Sequence, residues 1–301
     1  MLVTTIWPLF ALIVLGFALA RIEFPGPDFW PAAERLNYRV LFPALLVSSL
    51  VRAPLTDPAL LKLGSAAAVT ILIASAALLS LRLLRPIPPS RFGPVLQGTV
   101  RFNTYLGLAV VTALAGAAGQ SRAAVYLAVA VPLVNLLSIV ALTEGKAWRR
   151  PGLLLRSVLA NPLILACIAG IALALTGIGL PFGTGSLLEF LARASLPLGL
   201  LCVGAALRPA ALHRDLPTIL GVSTLRLLVL PVLAAAVGSA FALSAPEALV
   251  LIVFSAIPTA TAAFVLTRQM GGDGELMAGI LTAQTLAAVV SIPLVLALFQ
   301  G

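Results

Sequence analysis

Apolar runs of about twenty residues follow one another along this chain, divided by short breaks rich in Pro, Gly and Arg. Each run can cross a hydrocarbon core of about 30 Å, and a chain in lipid must satisfy its backbone polar groups internally, which α-helices do. Reading between the breaks gives ten helical spans, at roughly 2–20, 36–51, 60–81, 94–115, 123–142, 157–176, 188–207, 217–243, 247–267 and 275–298. Charged residues make up 10% of the 301 positions, where soluble domains carry about a quarter, so no sizeable extramembrane domain is expected. The expected class is an all-α membrane protein.

Val3 to Ala20 ends in Ala18-Leu19-Ala20, which resembles a signal-peptide cleavage site, but no basic segment precedes it and the run is long. It is read as a retained first helix. The basic balance, +9 in net charge, does not point to nucleic acid, because the Lys and Arg residues sit in short loops rather than among stacking aromatics. Numbering the connections alternately places thirteen of the nineteen basic residues on one side and four on the other, with Arg101 and Arg226 inside spans. Basic loops stay in the cytoplasm, so a multi-pass cell (inner) membrane protein with both termini outward is expected. Cys167 and Cys202 lie within apolar runs and read as small core residues, and His213 as an ordinary loop residue.

The chain also repeats. Pro8-Leu9 and Gly16 to Ala20 are echoed by Pro162-Leu163 and Gly170 to Ala174 at an offset of 154, which also takes Pro43 to Pro197. An offset one larger takes Asn103-Thr104 to Pro258-Thr259 and Gly116 to Gly271. The expected organisation is therefore a five-helix repeat in 1–150 and a second in 151–301, inverted because five is odd. Such symmetry lets a site between the halves open to either side in turn.

The fourth and ninth spans carry polar interruptions at matched depth, the pattern of broken helices that line a transport site. The expected substrate-binding residues there are Arg101, Asn103, Thr104, Pro258, Thr259 and Thr261. Interhelical tethering is the competing role for the amides and hydroxyls. For Arg226 the favoured role is holding carbonyls freed by the breaks, and for Arg101 that role and a place in the cavity are equally weighted. Pro43 and Pro197 fall in the short second and seventh spans, where structure is favoured over substrate contact. All ten acidic residues fall in loops or at span ends, so no buried carboxylate is expected, transport should not require sodium, and any proton dependence should be weak.

At these residues the chain resembles the auxin efflux carrier family, including its malonate/malate permease-like bacterial members. The resemblance rests on Leu41-Phe42-Pro43-Ala44, Asn103-Thr104-Tyr105-Leu106-Gly107, Asn161-Pro162-Leu163, Leu196-Pro197-Leu198-Gly199, Ile257-Pro258-Thr259-Ala260 and Gly271-Gly272-Asp273. It implies broken helices crossing at spans four and nine, and a scaffold of spans one, two, six and seven facing a moving domain built of the rest. The chain departs from the family pattern at Ala109, where proline is common, and at Ala262, where asparagine is common. Asn135 and Gln284 are the remaining polar candidates near the crossing.

The resulting expectation is a secondary carrier of a small organic anion, with the lipid bilayer as surroundings, a homodimer left open, and no cofactor. The same-fold alternative is a sodium-coupled bile-acid-type symporter. A non-transporting receptor is a further alternative. Intramembrane catalysis lacks clustered His, Asp, Glu or Cys in the spans, and no phosphate-binding loop supports ATP-driven transport.

Overall fold

The computed structural model describes residues 2–55, 57–143, 152 and 161–300, and all regular structure among them is helical. The boundary expected at 150/151, the loop residues Lys146, Arg149, Arg150 and Arg156, and Gly301 lie outside the described residues. The helices are α1 (Leu2–Arg21), α2 (Phe29–Leu36), α3 (Phe42–Val51), α4 (Pro58–Leu84), α5 (Pro89–Val100) and α6 (Thr104–Leu142) in the first half. The second half holds α7 (Pro162–Thr176), α8 (Thr184–Ala205), α9 (Leu216–Thr224), α10 (Leu230–Ala240), α11 (Ala245–Ala256), α12 (Thr261–Gln269) and α13 (Gly274–Gln300). Single π turns join α2 to α3 (Asn37–Leu41) and α9 to α10 (Leu225–Val229).

Several starts use the same device. Asp57 before Pro58, and Asn161 before Pro162, each accept a backbone N–H two residues on, at 2.9 Å. The side-chain oxygen satisfies an otherwise unpaired amide, and proline at the first helical position lacks one. In α6 the helix breaks at Gly116, whose φ of 58° and ψ of −153° suit a residue without Cβ.

Among the described residues, six helices are long and apolar enough to cross a membrane, and α11 with α12, bent by 51°, makes a seventh. The protein is multi-pass. The helices at the expected second and seventh spans are longer than their apolar runs suggest. Helix continues from Phe29 to Val51 through Glu34, Arg35 and Arg39, and from Thr184 through Glu189 and Arg193. A charge ends a hydrophobic run but not a helix when its side of the helix faces water or protein instead of lipid.

The helices sort into two sets by what they pack against. In one, α1 lies along α8, α3 along α7 and α8, and α2 against α8. In the other, α6 packs on α4, α5 and α11, α10 on α4 and α11, and α13 on α9 and α12. Glycines set the closest crossings in the first set. A Cβ on Gly16 would stand 2.0 Å from the Leu201 carbonyl oxygen, and one on Gly204 would stand 1.8 Å from that of Ile13. Small residues let backbones meet where lipid offers no hydrophobic drive to associate. Within the same set, Asn37 and Ser195 bond reciprocally: the amide donates to the Ser195 carbonyl at 3.0 Å and the hydroxyl donates to Asn37 Oδ1 at 2.8 Å.

Candidate functional site

Both expected breaks are present and touch. Arg101–Asn103 separates α5 from α6, and Ile257–Ala260 separates α11 from α12. The Asn103 amide donates to the Pro258 carbonyl at 2.8 Å. Extended backbone here frees carbonyls that would cost several kcal/mol each if left bare in an apolar interior. Arg226 takes three of them: Nε donates to Ile257 at 2.7 Å, Nη1 to Thr99 at 3.1 Å and Nη2 to Phe254 at 2.5 Å. One guanidinium fork, 1% exposed, thus stitches both breaks together.

Gln284 on α13 does similar work, accepting from the Thr259 amide and donating to the Gly98 carbonyl, both at 2.9 Å. The Thr259 hydroxyl donates to the Gln97 carbonyl at 3.2 Å. Thr259 and Gln284, both fully buried, are therefore spent on holding the crossing. Pro258 contributes its carbonyl to the same frame, and Thr104 opens α6 just beyond the break. Asn103 caps α6, its Oδ1 accepting from the Leu106 amide at 3.1 Å, but its Nδ2 has no partner although buried.

Beside the first break lies a cavity of about 850 Å³ lined by Arg35, Tyr38, Arg39, Arg101, Asn135 and Asn161, with Glu34 among them. Arg101 is 8% exposed and its Nη1, although buried, has no hydrogen-bond partner. The residues expected to bind substrate thus divide. Arg101 and Asn135 line the cavity, while Asn103 and Thr261, at the heads of α6 and α12, do not line it themselves but adjoin residues that do, Thr261 through Ala262 and its bond to Glu34. Three arginines against one carboxylate make the cavity a place for negative charge.

The expectation that no carboxylate is buried is overturned at Glu247, and Glu34 is also drawn partly inside. Glu247 is 1% exposed in the first turn of α11, where Arg122 Nε donates to it at 2.7 Å and the Ser244 hydroxyl also donates. Glu34 is half-buried in the cavity, and the Thr261 hydroxyl donates to its Oε1 at 2.5 Å. Hydropathy places Glu34 in a loop because the apolar run begins after it. The usable signal is helical spacing: Glu34 and Tyr38 are four apart, so a helix extended back to Phe29 carries both on one face. Asn161 carries part of the family resemblance, and it also lines the cavity.

A second cavity, about 450 Å³, is lined by Ser48, Ser49, Arg52, Thr112, Gln120 and Arg193, among others. It meets the C-terminal end of α3 and the part of α6 just past Gly116, whereas the first meets Asn135 and Ile139 farther along α6. The two cavities thus meet different stretches of α6. Phe42 of α3 packs edge-on against Tyr105, just past the first break, ring centroids 5.0 Å apart.

Residues 143–296 match the membrane transport protein family, that of the auxin efflux carriers. The chain belongs to that family. It is also similar, at 27% identity covering 96% of both chains, to an uncharacterized transporter of Methanothermobacter thermautotrophicus. Membership makes the chain a membrane transporter.

Proposed function

We propose that the protein is a secondary carrier that moves a small organic anion, a carboxylate, by alternating access. Its site is the cavity beside the crossing, and the observation that carries the reading is Arg101, which lines that cavity and whose buried Nη1 has no hydrogen-bond partner. An intramembrane charge of this kind is costly without a partner, and an anion supplies one. The heads of α6 and α12 add partial positive charge without a fixed counter-ion.

Ten spans fit this reading: α1, α2 with α3, α4, α5 with the first part of α6, the rest of α6, α7, α8, α9 with α10, α11 with α12, and α13. They divide into inverted repeats at 1–150 and 151–301. Packing supports the symmetry independently of the sequence echoes. The 154-residue shift takes Gly16 to Gly170 and returns Leu201 to Val47. Gly16 packs on Leu201, and a Cβ on Gly170 would stand 3.3 Å from Val47 Cα. Helix α1 on α8 and helix α7 on α3 are thus images of each other. Both termini outward in the cell membrane, as the loop charges favour, makes the larger cavity cytoplasmic.

Counterflow into proteoliposomes tests the proposal. Vesicles loaded with unlabelled acetate, lactate, succinate or citrate should accumulate the same labelled anion, and Arg101→Gln should abolish the accumulation. No counterflow with any carboxylate would refute the anion reading, and strict dependence on a sodium gradient would favour the symporter.

A further inference from the structure

Glu34 occupies an unexpected place. Thr261 is the first residue of α12, a nine-residue helix, and Ala260 before it has no side-chain oxygen to cap the exposed amides. A carboxylate 227 residues away in sequence approaches that helix head, bonded to the Thr261 hydroxyl. The bond joins the two packing sets, since α2 belongs to the set with α1 and α8, and α12 to the set with α13. A substrate carboxylate entering the cavity would seek the same helix head and the same Arg101.

We propose that Glu34 is a resident anion of the empty carrier, and that a substrate carboxylate takes its place only together with a proton, which binds Glu34. This rests on the cavity being an anion site. The charge count favours it. Arg35 and Arg39 line the cavity but are exposed, so water screens them, and Arg101 is the buried cation. One buried cation cannot hold both the half-buried Glu34 carboxylate and a substrate carboxylate, and two carboxylates a few ångströms apart do not both stay ionised. The other titratable groups facing Glu34 are the phenols of Tyr38 and, from α6, Tyr105, and the Cys202 thiol from α8. None of them adds a cation that would hold a second anion.

The step is a protonation: a proton from bulk solvent, relayed through water in the cavity, binds a Glu34 oxygen, the carboxylate becomes a neutral carboxyl, and its charged bond from the Thr261 hydroxyl becomes a weaker neutral one that the incoming anion can displace. Loss of the charged bond also unlatches α12 from α2. Each anion is then carried with one proton, so movement of a monoanion is electroneutral.

Calorimetric titration of the purified full chain with acetate, lactate, succinate or citrate tests this. Titrations at about pH 8, where even the last carboxyl of citrate is ionised, are repeated in buffers of different ionisation heat to count protons. The wild-type protein should take up about one proton per anion bound, with affinity falling up to tenfold per pH unit. Glu34→Gln, whose amide imitates the protonated acid and can still accept from Thr261, should bind with no proton uptake and a flat pH profile. Glu34→Asp should restore the uptake. Wild-type binding without proton uptake, or uptake kept in Glu34→Gln, overturns the inference while leaving the anion site standing. Binding of no carboxylate by the wild-type protein removes the anion reading and this inference with it. The wild-type proton count decides even if the variants do not fold.

Discussion

The Asn103 amide reaches the Pro258 carbonyl across 2.8 Å, so the two interrupted helices are bonded to each other at their breaks. Each interruption therefore partly satisfies the other, and a change at one break is felt at both. The shared frame, built of Arg226, Gln284 and Thr259, is distinct from the polar groups left over, Arg101 Nη1 and Asn103 Nδ2. Structural and functional roles at the crossing can thus be separated by substitution.

Arg226 is expected to be a stability residue. Arg226→Met would strand the carbonyls of Thr99, Phe254 and Ile257, each of which costs about 1–3 kcal/mol when buried without a donor. Thermal melts in detergent should show a large loss of stability, whereas Arg101→Gln, which breaks no bond to either helix break, should melt near the wild-type temperature and lose anion binding. Equal melts for Arg226→Met and the wild type would disprove the clamp.

Asn103 combines both roles, and its variants should divide them. Asn103→Ala removes the cap on Leu106, a loss of about 1 kcal/mol, as well as the free amide nitrogen. Asn103→Asp keeps an oxygen for the cap but replaces the unpartnered donor with negative charge. The expected result is near-normal melting and anion binding weakened by roughly ten- to a hundredfold, the worth of one hydrogen bond to a charged group. Ser48→Ala, which loses only a bond to the Leu45 carbonyl in its own helix, should change binding little. Equilibrium titrations alongside melts measure both quantities, and normal binding by Asn103→Asp would move the site elsewhere.

The sequence made some of this legible and hid the rest for a physical reason. Pro258 and Asn103 announce the breaks because each is costly in a helix within lipid, and the same cost argument marks Arg101 and Arg226 as charges needing partners. What a linear reading cannot see is which partner. Asn135 and Gln284 look alike in sequence, yet one lines the cavity and the other has both amide atoms bonded within the crossing. Glu34 was hidden differently: hydropathy averages around the helix, so a charge facing the cavity looks like the end of a span.

Topology can be tested at exposed positions. Cys167 and Cys202 are both buried, which lowers background labelling. Ser186→Cys, in the first turn of α8, should react with a membrane-impermeant maleimide on whole cells, and Arg214→Cys, before α9, only after permeabilisation. The two positions flank one span, and Arg214 shares its side with the thirteen-residue basic majority. Labelling of Arg214→Cys from outside would reverse the orientation, and labelling of both from one side would remove the span between them.

Close packing of α1 on α8 gives the last prediction. A methyl group at Gly16 would stand 2.0 Å from the Leu201 carbonyl oxygen, a backbone atom that no rotamer change can move aside. Gly16→Ala therefore forces the two helices apart, and the lost contacts run along their whole interface. At Gly170 the nearest atom to an added methyl is the Leu50 Cβ at 2.8 Å, also fixed by its backbone but farther off, so a smaller shift suffices. Overpacking of this kind costs about 1–3 kcal/mol where side chains can adjust and more where backbone must move. Gly16→Ala should thus lower the melting temperature clearly more than Gly170→Ala. Because both crossings lie within one packing set and touch neither Glu34 nor Thr261, neither variant should alter the proton count per anion while it remains folded. Melts of the two proteins in the same detergent measure the ranking, and a Gly16→Ala protein as stable as the wild type would mean that α1 does not pack against α8 at this glycine.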